Sequence, residues 1–325
     1  MKLIVQIPCF NEEQTLPRTI QDLPRHIEGI DTVETLIIDD GCKDNTCKIA
    51  EEIGVDHIVR NTSNKGLAST FFAGLDASLR LGADIIVNTD GDNQYNGQDI
   101  PKLIEPILNG EADIVIGDRQ PDNIQHFSPV KKKLQKIGSF VVRLLSDTDV
   151  PDAVSGFRAF SRKAAMETNI VSDFSYTIET LIQAGKKRLA VTSVPIKTNS
   201  KTRESRLYES IPKFLLKSIS TIARIYMMYQ PLKVFFYIGS ICIVAGLIPS
   251  IRFLIYYLMG QGMGHIQSLI LSAVLLVVGF NILMIGLVAD VIACNRRLIE
   301  ETLLRVRHIE MDQLNSFHKN DLVNE

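Results

Sequence analysis

Residues 84–94 read DIIVNTDGDNQ. A strand-forming run, Asp84–Asn88, stops at a polar turn in which Asp90 and Asp92 flank one glycine. The same construction occurs twice upstream. Residues 2–13 (KLIVQIPCFNEE) and 34–41 (ETLIIDDG) also carry an apolar run, Lys2–Ile7 and Glu34–Ile38, into a polar or acidic turn. Further β-rich runs fall at Ile58–Arg60, Asp113–Ile116 and Leu189–Pro195. Stretches suited to helices lie between the runs, at Gln14–His26, Asn45–Ile53, Leu67–Leu81, Ile100–Leu108 and Thr177–Ala184. Such alternation predicts an α/β domain with a mostly parallel sheet covered on both faces. Ligands of these sheets bind beyond the carboxyl ends of the strands. The turns at 8–13, 39–41 and 90–94 are therefore the residues to read for chemistry.

Two aspartates spaced i, i+2 on a turn can both reach a hard divalent cation that keeps some of its waters. Mg²⁺ or Mn²⁺ fits this pair, whereas the scattered histidines and the absence of H-E-x-x-H argue against zinc. No G-x-x-x-x-G-K-[ST] occurs, and no G-x-G-x-x-G follows the first strand, so ATP-hydrolysing and dinucleotide-binding readings lose their main support. An acidic crevice accepts a diphosphate only when a metal inverts the local charge.

The chain has 325 residues, 46% hydrophobic and 22% charged, with a formal net charge of -2. A balance so near zero speaks against nucleic acid as a partner. Five cysteines, an odd number without a C-x-x-C pair, suit a reducing compartment. The charge is unevenly placed. From Val234 to Cys294 the only full charges are Arg252 and Asp290. The runs Val234–Ile251 and Ser268–Ala289 are each long enough to cross a hydrocarbon core. Their connector, Gly260–Gln267, has no Lys or Arg, while Lys233, Arg296 and Arg297 flank the outer ends, which places both termini in the cytoplasm. A buried core hairpin in a soluble protein is the weaker reading. The opening Met1–Val5 reads as strand, not as a signal peptide. Ahead of the first span, Leu207–Tyr229 sets Ile211, Leu215, Ile219, Ile222 and Tyr226 opposite Lys213, Lys217 and Arg224. That pattern suits a helix in the membrane interface, or one packed on the catalytic domain.

In order, the motifs PCFNEE (8–13), IIDDGCKDNT (37–46), DGDNQ (90–94) and DAVSGFR (152–158) resemble those of family 2 glycosyltransferases with the GT-A fold. The subgroup is the polyprenyl-phosphate, or dolichol-phosphate-type, transferases, and the paired C-terminal spans resemble its two-helix bacterial members. Phe10 stands for the usual Tyr, Cys42 for Ser and Gly91 for Ala; no charged position is lost. The resemblance implies domains at 1–206 (GT-A), 207–230 (interfacial helix), 231–294 (spans near 233–258 and 268–293) and 295–325 (cytoplasmic tail).

The resemblance also implies roles. Pro8, Phe10, Glu12, Asp39, Asp40 and Asp90 would form the nucleotide pocket, and Asp90, Asp92 and Gln94 would hold Mg²⁺ or Mn²⁺ on the donor diphosphate. Asp39 has a second reading as a helix cap, and Asp44 and Asn45 read as caps only. Asn64-Lys65-Gly66 either approaches the nucleotide or opens the next helix. Arg119, Arg143, Ser155 and Arg158 would receive the phosphate of the lipid acceptor, for which a guanidinium is a good bidentate partner. Lys131–Lys133 read equally as a solvated or headgroup-facing face. Lys201, Arg203 and Arg206 resemble a basic loop that closes over the diphosphate, or form a plain juxtamembrane charge cluster. Asp92, Asp152 and Arg158 are the catalytic expectations, Asp152 as a base or as an orienting carboxylate for Arg158. The implied reaction is inverting transfer of a hexose, from a UDP-sugar or alternatively GDP-mannose, to polyprenyl phosphate at the inner (plasma) membrane by a multi-pass homo-oligomer, a tetramer in the two-helix members. A processive polysaccharide synthase needs Q-x-x-R-W, which a chain without tryptophan cannot supply. A vestigial membrane scaffold or flipping subunit is a competing reading, as is transfer to a protein or to a lipid hydroxyl. The tail, RRLIEETLLRVRHIEMDQL from Arg296, reads as a helix that pairs with another subunit or is simply solvated.

Overall fold

A computed structural model describes residues 1–120, 129–172, 175–199, 211–260 and 266–324. Its strands are β1 (Lys2–Cys9), β2 (Thr32–Asp39), β3 (His57–Arg60), β4 (Ile85–Asn88), β5 (Ile114–Asp118), β6 (Arg158–Ser161) and β7 (Val191–Pro195). They form one sheet in the order β3-β2-β1-β4-β6-β5-β7. Every pairing is parallel except those of β6, which runs antiparallel to both β4 and β5. The helices are α1 (Leu16–Gln21), α2 (Thr46–Glu52), α3 (Leu67–Arg80), α4 (Ile100–Leu108), α5 (Pro129–Ser146), α6 (Arg162–Glu167), α7 (Tyr176–Lys187), α8 (Ile211–Tyr229), α9 (Pro231–Leu258) and α10 (Ile266–Asn324).

The period of two in β1 explains the layering. Leu3, Val5, Ile7 and Cys9 face a core shared with Leu16 and Ile20 of α1, Ala50 of α2 and Ile100, Leu103 and Ile104 of α4. Gln6, on the other face, donates its amide to the Phe71 carbonyl of α3 (3.3 Å). Six strands follow the predicted runs closely; β6 and α6 are additions. Asn88 is paired with Arg158 in the β4–β6 register, so the start of β6 lies beside the end of β4.

The chain divides into two compact units, residues 1–222 with 304–325, and residues 223–303. In the second unit, α9 and the apolar part of α10 are long and apolar enough to cross a membrane, with mean hydropathies of 2.2 and 2.6 and few buried residues. Their contact is a close one. A Cβ on Gly239 would lie 3.0 Å from the Gly279 carbonyl, and a Cβ on Gly279 would lie 3.0 Å from the Gly239 carbonyl. The Ser272 hydroxyl donates to Gly246 O (2.8 Å), a bond suited to a medium without water. At the other end of this unit the Arg296 guanidinium stacks 3.8 Å from the Tyr229 ring.

In α8 the buried positions are Ser218, Thr221, Ile225 and Tyr229, while Ile219 of the predicted apolar stripe is exposed. The side chains of Ile211 and Leu215 lie outside the described residues. The expected break at 294/295 falls inside α10, which continues to Asn324. Part of the tail packs on the first unit. Arg307, 8% exposed, donates Nη1 to Met166 O (2.7 Å) and Thr168 O (3.3 Å), and its guanidinium lies 5.3 Å from the Phe72 ring. Glu310 pairs with Arg80 at 2.7 Å, and Met311 is buried. Charge-assisted bonds to carbonyls at the end of α6 are the kind that are missed when removed. Arg307→Ala is expected to destabilise the domain by about 1–3 kcal/mol, measured as a lower thermal midpoint of the full chain in detergent.

Candidate active site

β2, β1 and β4 are adjacent and parallel, so the three turns that follow them leave the same edge of the sheet. Each turn is shaped by a residue with positive φ: Asn11 (57°), Gly41 (74°) and Asn93 (55°). Glycine is required at 41, since a Cβ there would lie 2.8 Å from the Asn64 nitrogen and from the Ser63 carbonyl carbon.

The predicted nucleotide residues differ in their surroundings. Pro8 is buried, and Glu12 is 7% exposed and accepts from Thr15 Oγ1 (2.8 Å), so both shape the turn. Phe10 is 37% exposed at the tip of the same turn. Asp39 accepts from the Cys42 amide (2.7 Å) and the Cys47 thiol (2.9 Å). Burial works to raise its pKa, but those donors outweigh it and hold the carboxyl below the usual range. The same surroundings act oppositely on the thiols. Burial followed by the Asp39 carboxylate pushes Cys42 up to about 12 and Cys47 up to about 11, and burial raises Cys9 well above its usual value. Asp40 accepts from the amides of Lys65 (2.8 Å) and Gly66 (3.0 Å), which makes Asn64-Lys65-Gly66 the turn that opens α3. Asp44 takes the Thr46 amide at the start of α2 (3.0 Å), whereas Asn45 bonds sideways to Glu13 (3.0 Å) and caps nothing with its side chain.

The turn after β4 presents Asp90 and Asp92, both half-buried, and Asp92 Oδ1 accepts from the Gln94 amide (3.1 Å). Gly91 lets this turn lie against β1, since a Cβ there would stand 3.2 Å from Cys9 Sγ and 3.3 Å from Glu12 Cγ. The two carboxylates fit a hard cation whose other ligands come from water and a diphosphate. Among the described residues no group of three or more His, Cys, Asp or Glu is placed to hold a metal by itself. Asn199 is stitched to this turn through its own amide to Gln94 O (2.9 Å) and its side-chain amide to Asn93 O (3.1 Å). Sequence reading missed Asn199, whose one local signal is its place just ahead of the basic run. Lys201, Arg203 and Arg206 themselves lie outside the described residues, as do the side chains of Lys131–Lys133.

Segment 152–158 departs from expectation. Asp152 is fully buried and takes a bidentate pair from Arg119, Nε at 2.7 Å and Nη2 at 2.9 Å. The guanidinium that Asp152 meets here is that of Arg119. Arg119 in turn, its side chain 10% exposed, is paired with Asp152. Arg158 is 0% exposed and donates to Ser155 O (2.8 Å), Ala153 O (2.8 Å), Thr177 O (2.8 Å) and Thr180 Oγ1. Burial lowers its pKa to about 10, so the cation persists at neutral pH as an internal brace. In this structure Arg158 is engaged by the 153–155 segment and α7, and the acceptor-phosphate and catalytic roles expected of it stay expectations. The Ser155 hydroxyl is buried and has no hydrogen-bond partner among the described residues. Arg143 is partly exposed and meets Asp149 only at 3.4 Å. It follows one turn after Ser139, whose hydroxyl accepts the Ala153 amide (3.3 Å) and so ties α5 to the 152–158 segment.

A glycosyl transferase family 2 profile matches residues 4–168, which includes all four motifs. The chain belongs to that family. Residues 230–294 match the GtrB C-terminal hairpin. Over 214 residues the chain is 34% identical to the UDP-N-acetylglucosamine–dolichyl-phosphate N-acetylglucosaminyltransferase of Methanococcus voltae, covering 59% of this chain and 83% of that one. It is 32% identical over 218 residues to the dolichol-phosphate mannosyltransferase of Pyrococcus furiosus, covering 64% and 59%. With the polyprenol monophosphomannose synthase of Mycolicibacterium smegmatis the identity is 26% over 206 residues, covering 60% and 76%. Among solved structures, glucosyl-3-phosphoglycerate synthase from Mycobacterium tuberculosis, in complex with Mn²⁺, UDP and glucosyl-3-phosphoglycerate, superposes with a TM-score of 0.53 at 19% identity, covering 70% of this chain and 78% of that one. The fold is GT-A.

Removing one partner of a buried ion pair leaves the other charge stranded. Asp152→Ala is therefore expected to destabilise the protein by about 3–5 kcal/mol. The double variant with Arg119→Ala should lose less than the two singles together, measured by chemical unfolding of the full chain in detergent.

Proposed function

We propose that this family 2 glycosyltransferase transfers a hexose from a nucleotide diphosphate sugar to the phosphate of a polyprenyl lipid. The observation that carries the reading is the Asp90-Gly91-Asp92 turn set beside the β1 and β2 turns, in a chain that also holds two apolar helices. In this reading Phe10, Asp39 and Asp40 contact the nucleotide, and Pro8 and Glu12 hold the turn that presents Phe10. Asp90 and Asp92, with Gln94 beside them, would hold Mg²⁺ or Mn²⁺ on the diphosphate. The bound cation supplies charge neutralisation to a leaving nucleoside diphosphate. The anchoring of Asn199 supports a role for Lys201, Arg203 and Arg206 near that diphosphate, because the basic run begins two residues later. Arg143 and the Ser155 hydroxyl are the groups proposed for the acceptor phosphate.

A phosphate monoester has its second pKa near 6 and is largely a dianion at neutral pH. It attacks the anomeric carbon without a strong base, which agrees with the burial of Asp152. Single displacement inverts the anomeric configuration. The residues contribute by holding donor and acceptor in line. A UDP-sugar is the donor we favour, since the M. voltae relative is named for one; GDP-mannose is the second reading, favoured by the mannosyltransferases among the relatives. Two spans in one membrane, with Lys233, Arg296 and Arg297 at their outer ends, support a catalytic unit on the cytoplasmic side of the inner membrane. A homo-oligomer belongs to the same proposal.

The test is transfer by the purified full chain from a panel of labelled nucleotide sugars to polyprenyl phosphate, with and without chelator. Chelation should stop transfer and Mn²⁺ or Mg²⁺ restore it, while Asp92→Asn should reduce the rate more than about 100-fold without loss of folding. Near-full activity in Asp92→Asn would remove the metal assignment. Absence of transfer with every donor would favour a vestigial scaffold. Arg143→Ala is expected to raise the KM for the lipid phosphate several-fold and to leave that for the sugar nucleotide close to its original value, as read from initial rates.

A further inference from the structure

Asp90 comes from the turn after β4, yet the wall beside its carboxylate is built by residues from three other places in the chain. A Cβ placed on Gly156 would stand 3.1 Å from Asp90 Oδ1, 3.2 Å from Asp90 Oδ2 and 2.9 Å from the Tyr176 hydroxyl. Gly156 has no unusual φ, so the demand for glycine here is one of space alone. The carboxylate and the phenol both lie against its α-carbon.

The Gly156 peptide is held from both sides. Its N–H donates to Tyr95 Oη (2.9 Å), and its carbonyl accepts from Asn88 Nδ2 (2.9 Å) and, at 3.4 Å, from Tyr176 Oη. Tyr176 Oη also accepts from Asn88 Nδ2 (3.0 Å), and Asn88 Oδ1 is fixed by Gln6 Nε2 (3.0 Å). Tyr176 is 1% exposed and stacked on Phe71 with ring centroids 3.9 Å apart, and Tyr95 is stacked on Phe157 at 5.2 Å. Burial and then the Asp90 charge keep the Tyr176 phenol protonated. The two stacked rings pack against apolar neighbours, and their hydroxyls meet the Gly156 peptide.

We propose that Tyr176, acting through the Gly156 peptide, is a positioning residue that sets the Asp90 carboxylate for the divalent cation. The proposal rests on the metal–diphosphate reading of Asp90 and Asp92. Loss of the phenol hydroxyl removes one donor to Gly156 O and one acceptor of Asn88, which loosens one side of the peptide while the Tyr95 and Asn88 bonds and the ring stacking stay. An added Cβ at Gly156 acts directly, because it displaces the carboxylate by its own volume. Residues that orient a metal ligand commonly change metal affinity about 10–100-fold when altered.

The experiment is Mn²⁺ binding to the full chain in detergent, followed by electron paramagnetic resonance, in the presence of UDP and in parallel of GDP. The variants are Tyr176→Phe, Gly156→Ala and Asp90→Asn, each with its thermal midpoint. Tyr176→Phe should weaken Mn²⁺ binding about 10-fold, Gly156→Ala at least as much, and Asp90→Asn should abolish it. In transfer assays Tyr176→Phe should shift the Mn²⁺ concentration for half-maximal rate by the same factor and recover most of the rate at saturating Mn²⁺. If wild type binds Mn²⁺ and Tyr176→Phe binds it within twofold of wild type, the proposal is overturned and Tyr176 is a core residue only, whatever its thermal midpoint. If wild type binds no Mn²⁺ with either nucleotide, the metal reading of the site falls and takes this proposal with it. Should Gly156→Ala fail to fold, Tyr176→Phe, which retains its packing, decides the matter.

Discussion

Strand β6 runs against both of its neighbours, and most of the site depends on that reversal. Because it is antiparallel, its first residue, Arg158, stands opposite Asn88 at the end of β4 and Ile116 in β5. The SGF segment ahead of it therefore emerges at the same sheet edge as the acidic turn after β4. A parallel strand of four residues would deliver that segment to the opposite edge, about 13 Å away at 3.3 Å per residue. The contact of Gly156 with Asp90, the Asp152–Arg119 pair and the internal role of Arg158 all follow from this one direction of travel.

The parallel part of the sheet was legible in the sequence because its strands are apolar runs ended by turn residues, a pattern that burial on both faces imposes. β1, β2, β4 and their turns sit where that pattern puts them. β6 was not legible. Arg-Ala-Phe-Ser is four residues long and opens with a guanidinium, which hydropathy counts as surface. In the fold that guanidinium is wholly enclosed and satisfied by backbone carbonyls and one hydroxyl. The same blindness governs Asp152 and Arg119: a charged residue is read as available for a ligand unless its partner is known, and these two lie 33 residues apart in the chain. Asp39 and Asp40 are singled out by their place at a strand end, but the loop-holding work of Asp40 depends on an amide 25 residues on, at Lys65, which no local pattern announces.

The two units solve the same problem with different means. In the catalytic unit buried polar groups meet in networks, and glycine is used where a carboxylate or a loop must come close. In the hairpin there is little polarity to satisfy, and glycine is used for backbone approach, Gly239 against Gly279, with one serine closing onto a carbonyl. The tail of α10 belongs with the first of these, since Arg307 finishes carbonyls at the end of α6 that a short helix leaves open.

The thiols around Asp39 carry a further consequence. Cys9, at the end of β1, Cys42, in the turn after β2, and Cys47, in α2, are free and lie near Asp39. With burial and the neighbouring carboxylate opposing ionisation, each remains an S–H group through the neutral range. Thiolates, not thiols, attack electrophiles and peroxides. The three thiols are thus poor nucleophiles, and they serve the fold as soft, polarisable packing, with the Cys47 thiol a weak donor to the Asp39 carboxylate.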